Sequence, residues 1–122
     1  MASYEDLIAY REANVLADSL RAAVVDWPTI DRWTLGVQVI RSADSVGANI
    51  AEAYGRGTPA DQGRLFLIAR GSAYETQHWI ERAFARSLLS DDVYRARAGA
   101  VGQLVNGLLR SSRRRIRGTR NK

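Results

Sequence analysis

The chain has 122 residues, 46% hydrophobic and 25% charged, which describes one folded domain with a single core and excludes a disordered chain. It contains no cysteine, so disulfides, thiolate catalysis and cysteine-ligated zinc are excluded together. The net charge of +5 is unevenly placed: seven basic residues and no acid follow Leu109, while the first 109 residues hold eleven bases and thirteen acids, a net of −2. The opening MASYEDLIAYRE lacks the basic start and apolar run of a signal peptide, and no stretch approaches ~18 uncharged apolar residues. A cytoplasmic protein is expected.

Four helices can be predicted in chain order. The first runs from about Tyr4 to Asp26, with Ser3 as N-cap and Asp6 as its capping-box partner. Leu7, Tyr10, Ala13, Leu16, Ala17, Leu20 and Val24 form its apolar stripe. Pro28 disfavours a helical Trp27, so the DWPTID segment breaks the helix. The second helix is expected from near Arg32 to Tyr54, stopped by Gly55 and Gly57. The third opens with Thr58 as cap, Pro59 in the first turn and Asp61 completing the box, and continues to about Leu89. The fourth starts with Ser90 as cap and carries Val101, Leu104, Val105, Leu108 and Leu109 toward the core. No segment alternates as a strand would. The expected fold is all-α, an antiparallel up-down four-helix bundle over residues 1–109, followed by a basic C-terminal tail, residues 110–122.

The second helix carries an unusual polar stripe. Gln38, Arg41, Ser42, Ser45, Asn49, Glu52 and Arg56 fall within one arc about 100° wide, beside the core arc of Leu35, Val39, Ala43, Val46, Ile50 and Tyr54. Polar groups beside a core persist only if hydrogen-bonded, since an unpaired buried one costs about 1–3 kcal/mol. Glu52 and Glu75 are the natural acceptors and Arg41, Arg56 and Arg82 the natural donors. We therefore expect a structural network of Gln38, Arg41, Ser45, Asn49, Glu52, Arg56 and Glu75, between helices or between subunits. The remaining side of this helix carries Val37, Ile40, Ala48 and Ala51. On the third helix Leu65, Ile68, Ala69, Ser72, Thr76, Trp79 and Ala83 make one stripe, yet Phe66, Leu67, Tyr74 and Phe84 lie off it. That surplus of apolar area implies a homo-oligomer.

These residues carry a resemblance. LGVQVIRSADSVGANIAEAYGR followed by RLFLIARGSAYET resembles the four-helix-bundle proteins encoded within intervening sequences of bacterial 23S ribosomal RNA genes. The accessory variability proteins of diversity-generating retroelements are similar. The pattern L-x-x-Q-x-x-R-A-x-x-S-x-x-x-N-I-A-E-G is met at Leu35, Gln38, Arg41, Ser45, Asn49, Ile50, Ala51 and Glu52. Arg56, Gly71, Ser72 and Glu75 continue it, and the likeness covers roughly residues 4–109. Ala53 stands where glycine is usual, and Ser42 precedes Ala43 where an Arg-Ala pair is common. The resemblance implies a barrel-like homopentamer whose basic surface binds RNA or DNA. It also implies, in the retroelement case, association with a reverse transcriptase and its template RNA.

Catalysis has little to rest on. His78 is the single histidine and completes one E-x-x-H with Glu75, whereas a di-iron bundle needs two such motifs and two further glutamates. Pairing two copies, with Glu52 as the extra carboxylate, would be required. GRG at residues 55–57 reads as a turn, not a phosphate loop. No catalytic residue, metal site or cofactor is expected. The tail is the stronger signal. Arg110, Arg113, Arg114, Arg115, Arg117, Arg120 and Lys122 favour a polyanion, and arginine suits bidentate phosphate contact and stacking on bases. Arg64, Arg82 and Arg86 are the second candidates for such contact. A membrane surface is disfavoured because Ile116 is the one sizeable apolar residue among the last eleven. The expected function is a non-enzymatic accessory protein that binds nucleic acid; the competing reading is a protein-interaction scaffold that does not.

Overall fold

The computed structural model describes residues 3–120; residues 121–122, and the side chains of Tyr4, Thr119 and Arg120, lie outside the described residues. Ser3 caps α1 (Tyr4–Val24) as its sequence requires. Its Oγ accepts the Asp6 N–H at 3.1 Å, and Asp6 Oδ2 accepts the Ser3 N–H at 2.9 Å. A short α2 (Thr29–Trp33) follows, then three long helices, α3 (Leu35–Tyr54), α4 (Pro59–Ala85) and α5 (Val93–Arg120). There is no strand among the described residues, and no helix there is long and apolar enough to cross a membrane.

Helix α3 packs on α1 and α4, and α5 packs on α4 and α1. Between α1 and α3, Asn14 faces Gly47 and Val24 faces Gly36. Between α3 and α4, Ser42 meets Thr76 and Ser45 meets Ser72. Between α4 and α5, Glu81 meets Arg95, Gln77 meets Ala98 and Pro59 meets Ser112. The two glycines allow close approach at the first of these seams. A Cβ on Gly36 would lie 2.6 Å from Val24 Cγ1, and one on Gly47 would collide with Asn14 Oδ1. The core they enclose includes Leu16, Leu20, Val39, Val46, Ile50, Phe66, Ile80, Val101, Val105 and Leu108.

Several boundaries differ from the sequence expectation. The second predicted helix is two: Thr34, at φ −113° and ψ −87°, interrupts the chain, and its Oγ1 donates to the Ile30 carbonyl at 2.7 Å. Helix α4 ends at Ala85, short of Leu89. Ser87 takes φ 60°, with the Ser87 N–H bonded to the Phe84 carbonyl and the Leu88 N–H to the Ala83 carbonyl. That is a Schellman stop made without glycine. Ser90 is not the cap of the last helix, which starts at Val93 with its N–H on Asp91 Oδ1 at 2.9 Å. The Thr58 hydroxyl does accept the Asp61 N–H, at 3.2 Å. The seam between the end of α4 and the start of α5 is pinned by Arg95. Its guanidinium holds both Glu81 oxygens at 2.7 and 2.9 Å, Asp92 at 3.0 Å, and lies 3.6 Å over the Phe84 ring. These hydrogen bonds hold the Glu81 carboxyl below the usual range.

Core faces shifted too. Leu7 and Tyr10 are exposed, and Asp6 and Ala9 take their place against the core. On α4, Ile68 is exposed while Phe66, predicted off the stripe, is buried. Tyr54 is half-buried, with its ring 6.5 Å from that of Tyr10 and a buried hydroxyl that finds no hydrogen-bond partner among the described residues. Burial first, then the Asp6 carboxylate and the Tyr10 phenol, push its pKa up from 10.0 to about 12. The folded state thus keeps this proton after the unfolded chain has lost it. The contribution is intact below the unfolded tyrosine pKa of about 10 and is lost as pH rises through the folded value. Thermal melts across that alkaline window should show a shallower fall for Tyr54→Phe than for the parent; equal slopes would assign the fall to other groups.

Candidate functional site

The polar stripe resolves into a seam of small hydroxyls. Ser42 and Thr76, 3% and 0% exposed, lie with their oxygens 2.9 Å apart. Thr76 Oγ1 is also 2.8 Å from the Ser72 carbonyl, and Ser42 Oγ donates to the Val39 carbonyl at 3.2 Å. Ser45 Oγ and Ser72 Oγ are 2.9 Å apart, and Asn49 Nδ2 donates to the Ser45 carbonyl and hydroxyl at 2.8 and 3.0 Å. Ser45 and Asn49 therefore belong to the network, and Ser42, Ser72 and Thr76 complete it.

The charged members expected there are elsewhere. Glu52 pairs with Arg56, four residues on and just past the end of α3, both in contact with solvent. Glu75 is exposed and accepts from Trp79 Nε1 at 3.3 Å. Gln38 and Arg41 are exposed and make no side-chain hydrogen bond among the described residues. The physical reason is space and desolvation. Where α3 and α4 touch, hydroxyls can be satisfied at short range, whereas a buried ion pair would have to offset the loss of water around two charges.

Helix α5 does not stop where its apolar stripe does. It continues to Arg120, and Ser112 on it is fully buried, with Oγ donating to the Pro59 carbonyl at 2.9 Å. Arg115 Nη2 donates to Gln62 Oε1 at 3.3 Å, so this stretch lies along the start of α4. Helical geometry places Arg110, Arg113, Arg114 and Arg117, spaced by three and four, on one exposed face. None of these four forms an ion pair among the described residues. Arg110 and Arg114 border a groove of about 340 Å³ against α1, near Glu5 and Ile8. The side chain of Arg120 and all of Lys122 lie outside the described residues.

Arg64 and Arg82 are exposed on α4, and Arg86 is its C-cap. Arg64 lies in the same first turns of α4 as Gln62, the partner of Arg115, whereas Arg82 and Arg86 stand at the far end of the helix. Twenty-four positions of α4 separate Gln62 from Arg86, about 36 Å at the rise of an α-helix. His78 is exposed, with its ring 4.6 Å from that of Trp79. Among the described residues no three of His, Cys, Asp and Glu come together as metal ligands.

Residues 5–108 match the family described as 23S rRNA-intervening sequence protein. The chain belongs to that family. A crystal structure of a protein of unknown function from the S23 ribosomal protein family of Bacteroides thetaiotaomicron VPI-5482 is similar, at 21% identity and a TM-score of 0.78. The likeness covers 87% of this chain and 98% of that one, and speaks for the fold alone. No curated protein matches the chain.

In this member of the family, Ser45, Asn49 and Ser72 are the pattern positions that bond at the α3–α4 seam. Glu52 and Arg56 match the pattern equally well but remain at the surface. Thr76→Val should therefore destabilise the fold by about 1–3 kcal/mol, because the Ser42 hydroxyl loses its cross-helix partner. Adding Ser42→Ala should recover part of that loss. Glu52→Ala should stay within about 0.5 kcal/mol. Urea unfolding of the three variants checks the ranking, and a Glu52→Ala cost above that of Thr76→Val would reject it.

Proposed function

We propose that the protein is a non-enzymatic, homo-oligomeric nucleic-acid-binding protein of the cytoplasm, built on an antiparallel up-down four-helix bundle. The observation that carries the reading is the helical C-terminal end of α5. Four arginines share one exposed face there without a carboxylate partner among the described residues. An array at helical spacing meets a phosphate backbone as fixed, bidentate donors and not as a loose cloud of charge. Such contacts hold register without reading sequence, so the choice of target falls to a partner. The resemblance to retroelement accessory proteins supplies that partner as a reverse transcriptase with its template RNA.

Self-association is supported by the outer face of α4. Leu67 is 43% and Tyr74 49% exposed, and Gly71 between them would give a Cβ nothing to touch within 4 Å. A mid-helix glycine costs up to about 1 kcal/mol relative to alanine, and no contact within the chain accounts for it here. A neighbouring helix could approach closely at that point, in a ring of five by the family likeness. Light scattering should report a multiple of 13.5 kDa at micromolar concentration, reduced by Leu67→Glu with Tyr74→Glu. A monomeric parent would remove this part of the reading.

Nucleic-acid binding is tested by replacing Arg110, Arg113, Arg114 and Arg117 with glutamine, which leaves the buried Ser112 in place. Binding of a labelled RNA should weaken at least tenfold at physiological salt. Each engaged arginine lost should also reduce the slope of log K against log salt by about 0.7 for single strands or 0.9 for duplex. Unchanged affinity would move the site off α5. No binding by the intact protein, even at low salt, would favour a protein-interaction scaffold.

A further inference from the structure

Trp33 is 71% exposed, an unusual position for the side chain with the largest apolar surface. It stands at the end of α2 as a wall between two grooves. One, of about 370 Å³, has Val24, Val37 and Ile40 along its apolar side and the guanidinium groups of Arg21, Arg32 and Arg41 around it. The other, of about 380 Å³, is bordered by Leu35, Gln38, Trp79 and Arg86. One indole thus has a groove at each side, and four arginines surround the pair.

These cations are not balanced from within. Arg21, Arg32, Arg41 and Arg86 form no ion pair among the described residues. Arg32 is the most informative of them. Its Nε is buried without a hydrogen-bond partner, and its terminal nitrogens reach only the Val25 carbonyl at 3.5 Å and Thr29 Oγ1 at 3.4 Å, both long. A buried donor left in this state calls for an acceptor, and one arriving from outside would supply it. An occupant that complements these four guanidinium groups is anionic, and one that covers the indole and the valine–isoleucine wall presents flat apolar surface. A nucleotide of an unpaired strand meets both requirements, whereas a duplex keeps its base faces stacked inside.

We propose that the two grooves beside Trp33 hold successive nucleotides of a single-stranded RNA or DNA, with bases against the indole and phosphates on Arg21, Arg32, Arg41 and Arg86. The inference rests on the nucleic-acid reading above and adds to it a place where bases, as distinct from phosphates, are held. The place is remote from the α5 arginines, because Arg86 ends α4 while Gln62, the partner of Arg115, lies in its first turns. The two regions can therefore be tested separately.

The test uses the full chain with a fluorescein-labelled twelve-nucleotide oligouridine and an abasic twelve-mer of the same charge. The oligouridine should bind about tenfold more tightly than the abasic strand, an effect of the size expected for stacking a base on an aromatic ring. Trp33→Ala should remove that advantage while leaving abasic binding unchanged, and Trp33→Phe should restore most of it. Arg41→Gln should lower the salt slope by about 0.7, the value for one phosphate contact on a single strand. Equal binding of the two strands by the parent, with no effect of Trp33→Ala, would overturn the inference while the α5 reading stood. Trp33→Ala that lowers the molecular mass in light scattering would also overturn it, by assigning the grooves to a second copy of the chain. Failure of the parent to bind either strand at low salt would overturn both readings together.

Discussion

Hydroxyl groups at the seam between α3 and α4 must find partners there, and that requirement governs how the two helices sit. Apolar contacts are non-directional and would tolerate several registers of Val39, Val46 and Ile50 against the facing helix. The pairs Ser42–Thr76 and Ser45–Ser72, each with oxygens 2.9 Å apart, do not. Sliding either helix by one residue would part both pairs at once and leave the buried Ser42 and Thr76 hydroxyls with only the carbonyls of their own helices. The side chains concerned are also small, which is why the helices can come close enough for the bonds to form. Register and proximity have one cause here.

Once that register is set, α4 acts as the spacer of the molecule. Its first turns hold α5 through Pro59 to Ser112 and Gln62 to Arg115. Its last turns bring Trp79 and Arg86 beside Trp33. The two basic regions at its ends differ in character. The α5 face offers guanidinium groups along a helix, suited to a run of phosphates. The Trp33 region mixes guanidinium with indole and aliphatic surface, and suits groups that are flat as well as charged. On the two proposed readings, a strand would be held by its backbone at one end and by its bases at the other.

Much of the helical framework was legible from local signals. Ser3 with Asp6, Thr58 with Pro59, and Gly55 after Tyr54 act within one turn, so their chemistry is complete in the local sequence. The failures have equally local reasons. Ser87 adopts a left-handed conformation that glycine usually signals, and nothing in its own chemistry announces it. Leu7 and Tyr10 drew the first stripe toward themselves by hydrophobicity, while the angular sequence of Ala13, Leu16, Ala17 and Leu20 extends back to Ala9 and Asp6. Size and apolarity were mistaken for position.

The candidate site divides in the same way. The sequence by itself determined an all-helical domain, the ordered residues that mark its family, a polar stripe on α3 and a charge imbalance concentrated after Leu109. Only the tertiary structure decided that the stripe bonds through Ser72 and Thr76 and not through Glu52 and Glu75. It alone continued α5 to Arg120 and left Trp33 standing between two grooves. Periodicity records which face a residue occupies, because that follows from rotation along one helix. The atom opposite it depends on the register between helices, and here that register is set by partners 27 and 34 positions apart, which no local pattern encodes.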